Sequence, residues 1–213
     1  MIKSKAWNWK NNIHEYWQQV ADEFLPVALQ WKAAGLHKVL DLGCGIGRNA
    51  LYLAEAGFSV HAFDLSKSGL ARLTQEAKAR NLDIKITFGD MIYMPFEDGL
   101  FDCLLAFHSI YHTDYQGLEK VVSEINRVLT QGGEIFLTLN SKENDAWNSH
   151  TYEHIDQFTL LKDETTEKDV PHTYLSYQEV LDLLTDFKIL KIQQIFDYWE
   201  NKKHAHFFIR CRK

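Results

Sequence analysis

The sequence predicts a three-layer α/β sandwich, with helices on both faces of a mostly parallel sheet. Three observations carry that expectation. Short apolar runs alternate with amphipathic ones from residue 38 onward, the links between them are brief, and the first run feeds a glycine-rich turn, Gly43-Cys44-Gly45-Ile46-Gly47. Alternation of this kind makes a parallel sheet covered on both sides. The 213 residues suffice for one domain with a full core and are too few for two comfortable ones.

Each element has its own signal. Ile13, Tyr16, Trp17, Val20, Phe24 and Leu25 follow helical spacing until Pro26 interrupts them. A second helical piece over 27–34 stops at Gly35. Residues 38–42 form a strand, 48–56 a helix with Gly57 past its end, 59–63 a strand, and 67–80 a helix led by Ser66. Two further strands cover 84–88 and 101–107. Leu118, Val121, Val122, Ile125, Val128 and Leu129 mark a strong helix, and Thr113 with Gln116 has the spacing of a capping box at its start. Gly132-Gly133 turns the chain into a strand over 134–140. Ser176 and Glu179 form another capping box, opening a helix to about Asp186. Strands over 188–197 and 204–212 finish the chain, too close together for a parallel crossover, so one strand of the sheet is reversed. Residues 141–173 follow no period, and irregular segments of that length are commonly functional. Their aromatic and histidine content supports such a role.

Composition excludes several classes. Hydrophobic residues make up 46% and charged ones 24%, an ordinary globular balance. A net charge of −6 suits a nucleic-acid partner poorly, because that affinity rests on clustered Lys and Arg. The N-terminal residues contain no apolar signal core and no run is long enough to span a membrane, so the expected compartment is the cytoplasm. Cys44, Cys103 and Cys211 are odd in number and irregularly spaced, which fits neither a disulfide framework nor a metal cluster.

In an open α/β sheet the ligand lies outside the carboxyl ends of the strands, which makes the glycine turn the first candidate. A dinucleotide turn needs a small residue three past its second glycine, and here that residue is Arg48. A phosphate loop needs Gly-Lys-Ser/Thr, which does not follow.

Asp41-x-Gly43-x-Gly45-x-Gly47 resembles the first motif of the class I S-adenosylmethionine (SAM)-dependent methyltransferases. Asp64 ends the second strand, 19 residues past Gly45, and the resemblance implies that it takes the ribose hydroxyls. Gly89-Asp90-Met91 follows the third strand, where the family reads the adenine. "FDCLLAFHSIYHT" and "INRVLTQGGEIFLTLN" are similar to the fourth-strand motif and to the helix, glycine turn and fifth strand that come next. The resemblance covers roughly 38–140, and "GRNALYLAEAGFSVHAFDLS" is similar to a small-molecule branch that includes tellurite-resistance-type enzymes. It implies a Rossmann-like seven-stranded sheet in the order 3-2-1-4-5-7-6 with the last strand antiparallel. It also implies a cofactor site of Asp41, Gly43, Cys44, Gly45, Gly47, Arg48, Asn49, Asp64, Leu65, Ser66, Gly89, Asp90, Met91, Phe107 and His108. SAM would be the cofactor and S-adenosylhomocysteine (SAH) the product. The whole chain, 1–213, then reads as a single domain: an N-terminal cap over 1–37, the cofactor core over 38–140, an acceptor or lid insertion over 141–175, and a closing helix and strand pair over 176–213.

Methyl transfer from a sulfonium is an in-line displacement, and alignment alone can supply roughly 7–11 kcal/mol. A soft anionic nucleophile needs little more, whereas an amine or hydroxyl also needs a base, most often His. His108 and His112 are the catalytic candidates. Tyr111, Asn140, Trp147, His172 and Tyr174 are candidates for contact with a small-molecule acceptor. His204 and His206 share a strand face and read either as weaker acceptor candidates or as surface. Trp7 and Trp9 fall outside the helical pattern and suit a flap over the cofactor, while Trp17 suits the core. Two other readings stand beside this one: a nicotinamide-dependent oxidoreductase that uses Asp64 for ribose, and a SAM-binding module without transfer activity.

Overall fold

The computed structural model describes residues 5–7, 9, 18–162, 168–199 and 201–213. Ile13, Tyr16 and Trp17 of the expected first helix lie outside the described residues, and its described part, 18–24, is turn and irregular chain instead of α-helix. Pro26 does not interrupt a helix; it stands in the first turn of α1 (Leu25–Ala33), where a missing N–H costs nothing.

β1 (Lys38–Leu42), α2 (Arg48–Glu55), β2 (Ser59–Asp64), α3 (Lys67–Ala79), β3 (Ile84–Phe88), β4 (Phe101–Ala106), α4 (Tyr115–Val128) and β5 (Leu129–Ser141) follow in alternation. The Ser66 hydroxyl caps α3 by accepting the Gly69 N–H. At α4 the cap is Asp114, not Thr113: its carboxylate accepts the Gly117 N–H. Asp is as good an N-cap as Thr, and Thr113 is instead buried, its carbonyl accepting the Thr173 hydroxyl at 2.6 Å.

β1 pairs in parallel with β2 and β4, β2 with β3, and β4 with β5. β10 (Lys202–Arg212) runs antiparallel to both β5 and β9 (Lys188–Trp199). The main path is therefore β3-β2-β1-β4-β5-β10-β9, the expected order with its reversed strand. The segment read as irregular contains three short strands, β6 (Glu153–His154), β7 (Thr159–Leu161) and β8 (Pro171–Leu175). They form a small antiparallel sheet that joins the end of β5 through Asn140↔Tyr174 and Ser141↔Leu175. Two- and three-residue strands are too short to show alternation in a sequence, and β8 is buried at all five positions, which removes the alternation. α5 (Tyr177–Leu183) has the expected Ser176/Glu179 capping box and ends before Asp186.

Successive strand residues face opposite layers. Leu104 joins the core that includes Leu40, Ile125 and Phe207, and Leu105 joins the one that includes Trp31, Leu53 and Phe208. Burial on both faces explains why the strands read as continuous apolar runs. Glu134 ties the layers together: its buried carboxylate accepts the Trp31 indole N–H at 3.1 Å and pairs with Arg210 and Arg212, each at 2.6 Å. Among the described residues no helix is long and apolar enough to cross a membrane.

Candidate cofactor and acceptor site

The ends of β1, β2 and β3 lie side by side and gather the glycine turn, Asp64 and Gly89. Gly43 has φ 73°, and a Cβ there would stand 2.3 Å from that of Ser109, so glycine alone lets the turn pass. Ser109 is held in place by its hydroxyl, which donates to the Leu42 carbonyl at 2.7 Å. The Gly43 and Cys44 N–H groups both donate to the Phe63 carbonyl, fastening the turn to β2. Gly47, the N-cap of α2 at φ 86°, packs on Leu73.

Asp64 is the junction. Its carboxylate accepts the Gly45 N–H at 2.7 Å and the Ser66 N–H at 2.6 Å. Burial still holds its pKa above the ordinary carboxylate value. A carboxylate offers about four lone-pair sites, so these bonds leave acceptor capacity for a ligand. The Asp64 carbonyl in turn accepts the Gly89 N–H at 3.1 Å. Asp90 begins a tight turn by accepting the Ile92 N–H on its side chain.

A cavity of about 130 Å³ opens where these ends meet. Gly43, Asp64, Leu65, Gly89, Asp90 and Met91 line one side, and His108, Tyr111 and His112 the other. The remaining expected residues do not line it. Asp41 lies buried beneath the turn, where one carboxylate oxygen has no partner. Burial, together with the Asp64 charge, pushes its pKa up to about 7 against the opposing pull of Arg48 and the Ala50 N–H. Cys44 is buried, its thiol pushed up well above the usual range by burial. Arg48 covers the Phe107 ring at 5.4 Å and donates to the Gln19 carbonyl, and the Asn49 side chain accepts the Ala21 N–H. Asn140 donates to the Thr173 carbonyl at 3.2 Å and so joins β5 to β8. Trp147 packs on Tyr174, which is buried.

The opposite wall is a cluster of imidazoles around Tyr111. His108 has φ 49°, a left-handed backbone that non-glycine residues seldom adopt and that concentrates at functional sites. Its N–H donates to the Thr138 hydroxyl at 2.6 Å, and its Nδ1 is 3.0 Å from the Tyr111 hydroxyl. The His206 ring centre is 4.7 Å from that of His108, His112 is 4.6 Å from Tyr111, and His172 is 4.9 Å from His112. His206 corrects the surface reading of the closing strand. The available signal was Phe208, a core residue two positions on and therefore on the same face. Burial drives the pKa values of His108 and His172 well below the ordinary histidine value and that of His206 down to about 4. These three rings are neutral at pH 7.

A strap crosses above. The Trp7 carbonyl accepts the Ser66 hydroxyl at 2.7 Å, the Trp9 N–H donates to Ser68, and Lys5 reaches the Lys168 carbonyl and the Asp169 carboxylate. The Trp7 ring lies 5.5 Å from His112. The Trp9 indole rests on the glycine turn, 2.6 Å from where a Cβ on Gly45 would be. Among the described residues no cluster of three or more His, Cys, Asp or Glu is placed to hold a metal.

Residues 39–133 match a family model described as a methyltransferase domain. The matched stretch is similar to methyltransferase domains and holds the glycine turn, Asp64 and Gly89. Over 99 residues, 45% of this chain and 26% of the relative, the chain is 39% identical to the sterol 24-C-methyltransferase erg6 of Schizosaccharomyces pombe. The chain spans about a quarter to just over a third of the first curated relatives it matches. In fold, the chain is similar to a SAM-dependent methyltransferase from Methanosarcina mazei (TM-score 0.71, 21% identity, 83% of this chain and 92% of that one). It is also similar to TehB from Haemophilus influenzae (TM-score 0.68, 17% identity, 91% of this chain and 63% of that one).

Proposed function

We propose that this chain transfers a methyl group from SAM to a small anionic acceptor and releases SAH. The observation that carries the reading is the meeting, at three successive strand ends, of the glycine turn, Asp64 and Gly89-Asp90-Met91 around one cavity. The donor set fits the cofactor. Asp64 keeps acceptor capacity for the ribose hydroxyls, and Asp90 with the Met91 backbone suits the adenine edge. The unpartnered Asp41 oxygen and the glycine cradle suit the amino-acid end. When bound, SAM supplies an electrophilic methyl on a sulfonium. Trp9 rests on Gly45, so the strap has to lift for entry; once reseated, Trp7 and Trp9 exclude water.

The acceptor side follows from protonation and charge. Imidazoles held neutral by burial are weak bases, so His108 and His206 suit orienting a nucleophile that arrives already deprotonated. The cations that bear on these rings are Arg48 and Lys162. That surrounding favours a thiolate or an oxyanion over an ammonium. In this reading 38–140 hold the cofactor, and the acceptor is bordered by the turn after β4, by His172 of 141–175 and by β10. Buried free Cys44, Cys103 and Cys211 suit a reducing cytoplasm.

Calorimetry with SAM and SAH tests the first half. Binding is expected in the parent protein and a loss of about tenfold or more in Asp64→Ala, because hydrogen bonds to a charged group contribute about 1.5–3 kcal/mol each. No heat with either ligand would overturn the proposal. Transfer of a labelled methyl to a panel of thiols, oxyanions and amines tests the second half. Binding without transfer to any of them would favour a module that only holds the cofactor.

A further inference from the structure

β9 forms one edge of the sheet and, among the described residues, pairs with β10 alone. An open edge offers a row of unpaired backbone groups, which proteins blunt with lysines, bulges or prolines. β9 carries such devices only near its start: Lys188, Lys191, and a register shift opposite Arg210 and Cys211. From Ile192 to Tyr198 there is no lysine, proline or register shift, and Asp197 is the single charge. Phe196 and Tyr198 nevertheless stand 42% and 78% exposed.

This stretch is complementary to itself. Lys191-Ile-Gln-Gln-Ile-Phe-Asp197 begins with a cation and ends with an anion. Laid antiparallel to an identical strand about a two-fold axis through Gln194, Lys191 of one copy faces Asp197 of the other. Ile192 then faces Phe196, and Gln193 faces Ile195. Residues directly opposite share a sheet face and lie within contact distance. Slipping by one residue sets Lys191 against Phe196 or Tyr198, so charge selects the register.

We propose that two copies of this chain join β9 to β9 in that register, extending the sheet across a two-fold axis. Such an interface uses one patch on both subunits, as closed dimers do. β9 runs parallel to β5, so the two candidate sites lie at opposite edges of the joined sheet and neither is covered. The inference does not rest on the methyl-transfer reading.

Sedimentation velocity of the full chain over a concentration series tests it. A reversible dimer is expected. Lys191→Glu or Asp197→Lys alone sets two like-charge contacts in each dimer and should raise the dissociation constant about tenfold. The double reversal should restore it to within a few-fold. Hydrogen exchange on the parent protein should show backbone amides within Lys191–Asp197 gaining protection as concentration rises, a readout that needs no variant to fold. A monomer at every concentration would overturn the proposal. So would a dimer indifferent to the single reversals, or one that the double reversal fails to restore.

Discussion

Asp41→Asn isolates the most perturbed carboxyl near the site. Folded Asp41 keeps its proton to about pH 7, whereas an unfolded aspartate gives it up near 3.9. Between those values folding takes up a proton, so this group's contribution to stability falls as pH rises and levels off above pH 7. At about 1.36 kcal/mol per pH unit, the cost to the folded state approaches roughly 4 kcal/mol on the plateau. Asn keeps the side-chain oxygen that accepts the Ala50 N–H and removes the titration. It also places an amide N–H₂ where one oxygen already lacks a partner, at about 1–3 kcal/mol. That second cost does not depend on pH. Urea denaturation followed by tryptophan fluorescence, from pH 5 to pH 8, should therefore show the variant gaining roughly 3 kcal/mol on the parent across the range. The gain should flatten above pH 7. An offset that stays constant with pH, or that moves the other way, would refute the argument that burial keeps this carboxyl protonated.

Glu134→Ala should destabilise the protein by roughly 3 kcal/mol in the same assay, because the Trp31 indole and two guanidinium groups lose a shared buried partner. Ser176→Ala should cost about 1 kcal/mol by removing the α5 cap, with a matching loss of amide protection in the first turn of that helix.

The strand ends that gather around the cavity were legible because each of their parts is local. Gly43 and Gly47 need positive φ, Asp64 and Gly89 follow apolar runs, and all of them lie at or just beyond the ends of three consecutive strands. Spacing in the chain therefore became proximity at one edge of the sheet. The Thr113 cap failed by one residue because Asp114 competes for the same position with an equally good acceptor. β6 and β7 were hidden by length, since two- and three-residue strands carry no period, and β8 by burial at all five of its positions; its pairing to β5 is fixed by Asn140 and Thr173 across the fold.

The imidazole cluster was illegible for a different reason. Its members come from the turn after β4, from β8 and from β10, separated by up to 98 positions between His108 and His206. No window of sequence holds them together. What joins them is the reversal of β10 beside β5, which sets His206↔Asn140 in register at the sheet's carboxyl edge, and the strained backbone that aims His108 inward. The same assembly decides the chemistry. A histidine read alone in sequence has a pKa poised for base catalysis, but burial in this wall takes that away, and the neighbouring charges of His206, Arg48 and His112 add to the effect at His108. In the function proposed above, such a site holds and orients a nucleophile better than it deprotonates one. Chemical identity alone had suggested a base at His108; in that proposed reading, burial and neighbours leave it a positioning group.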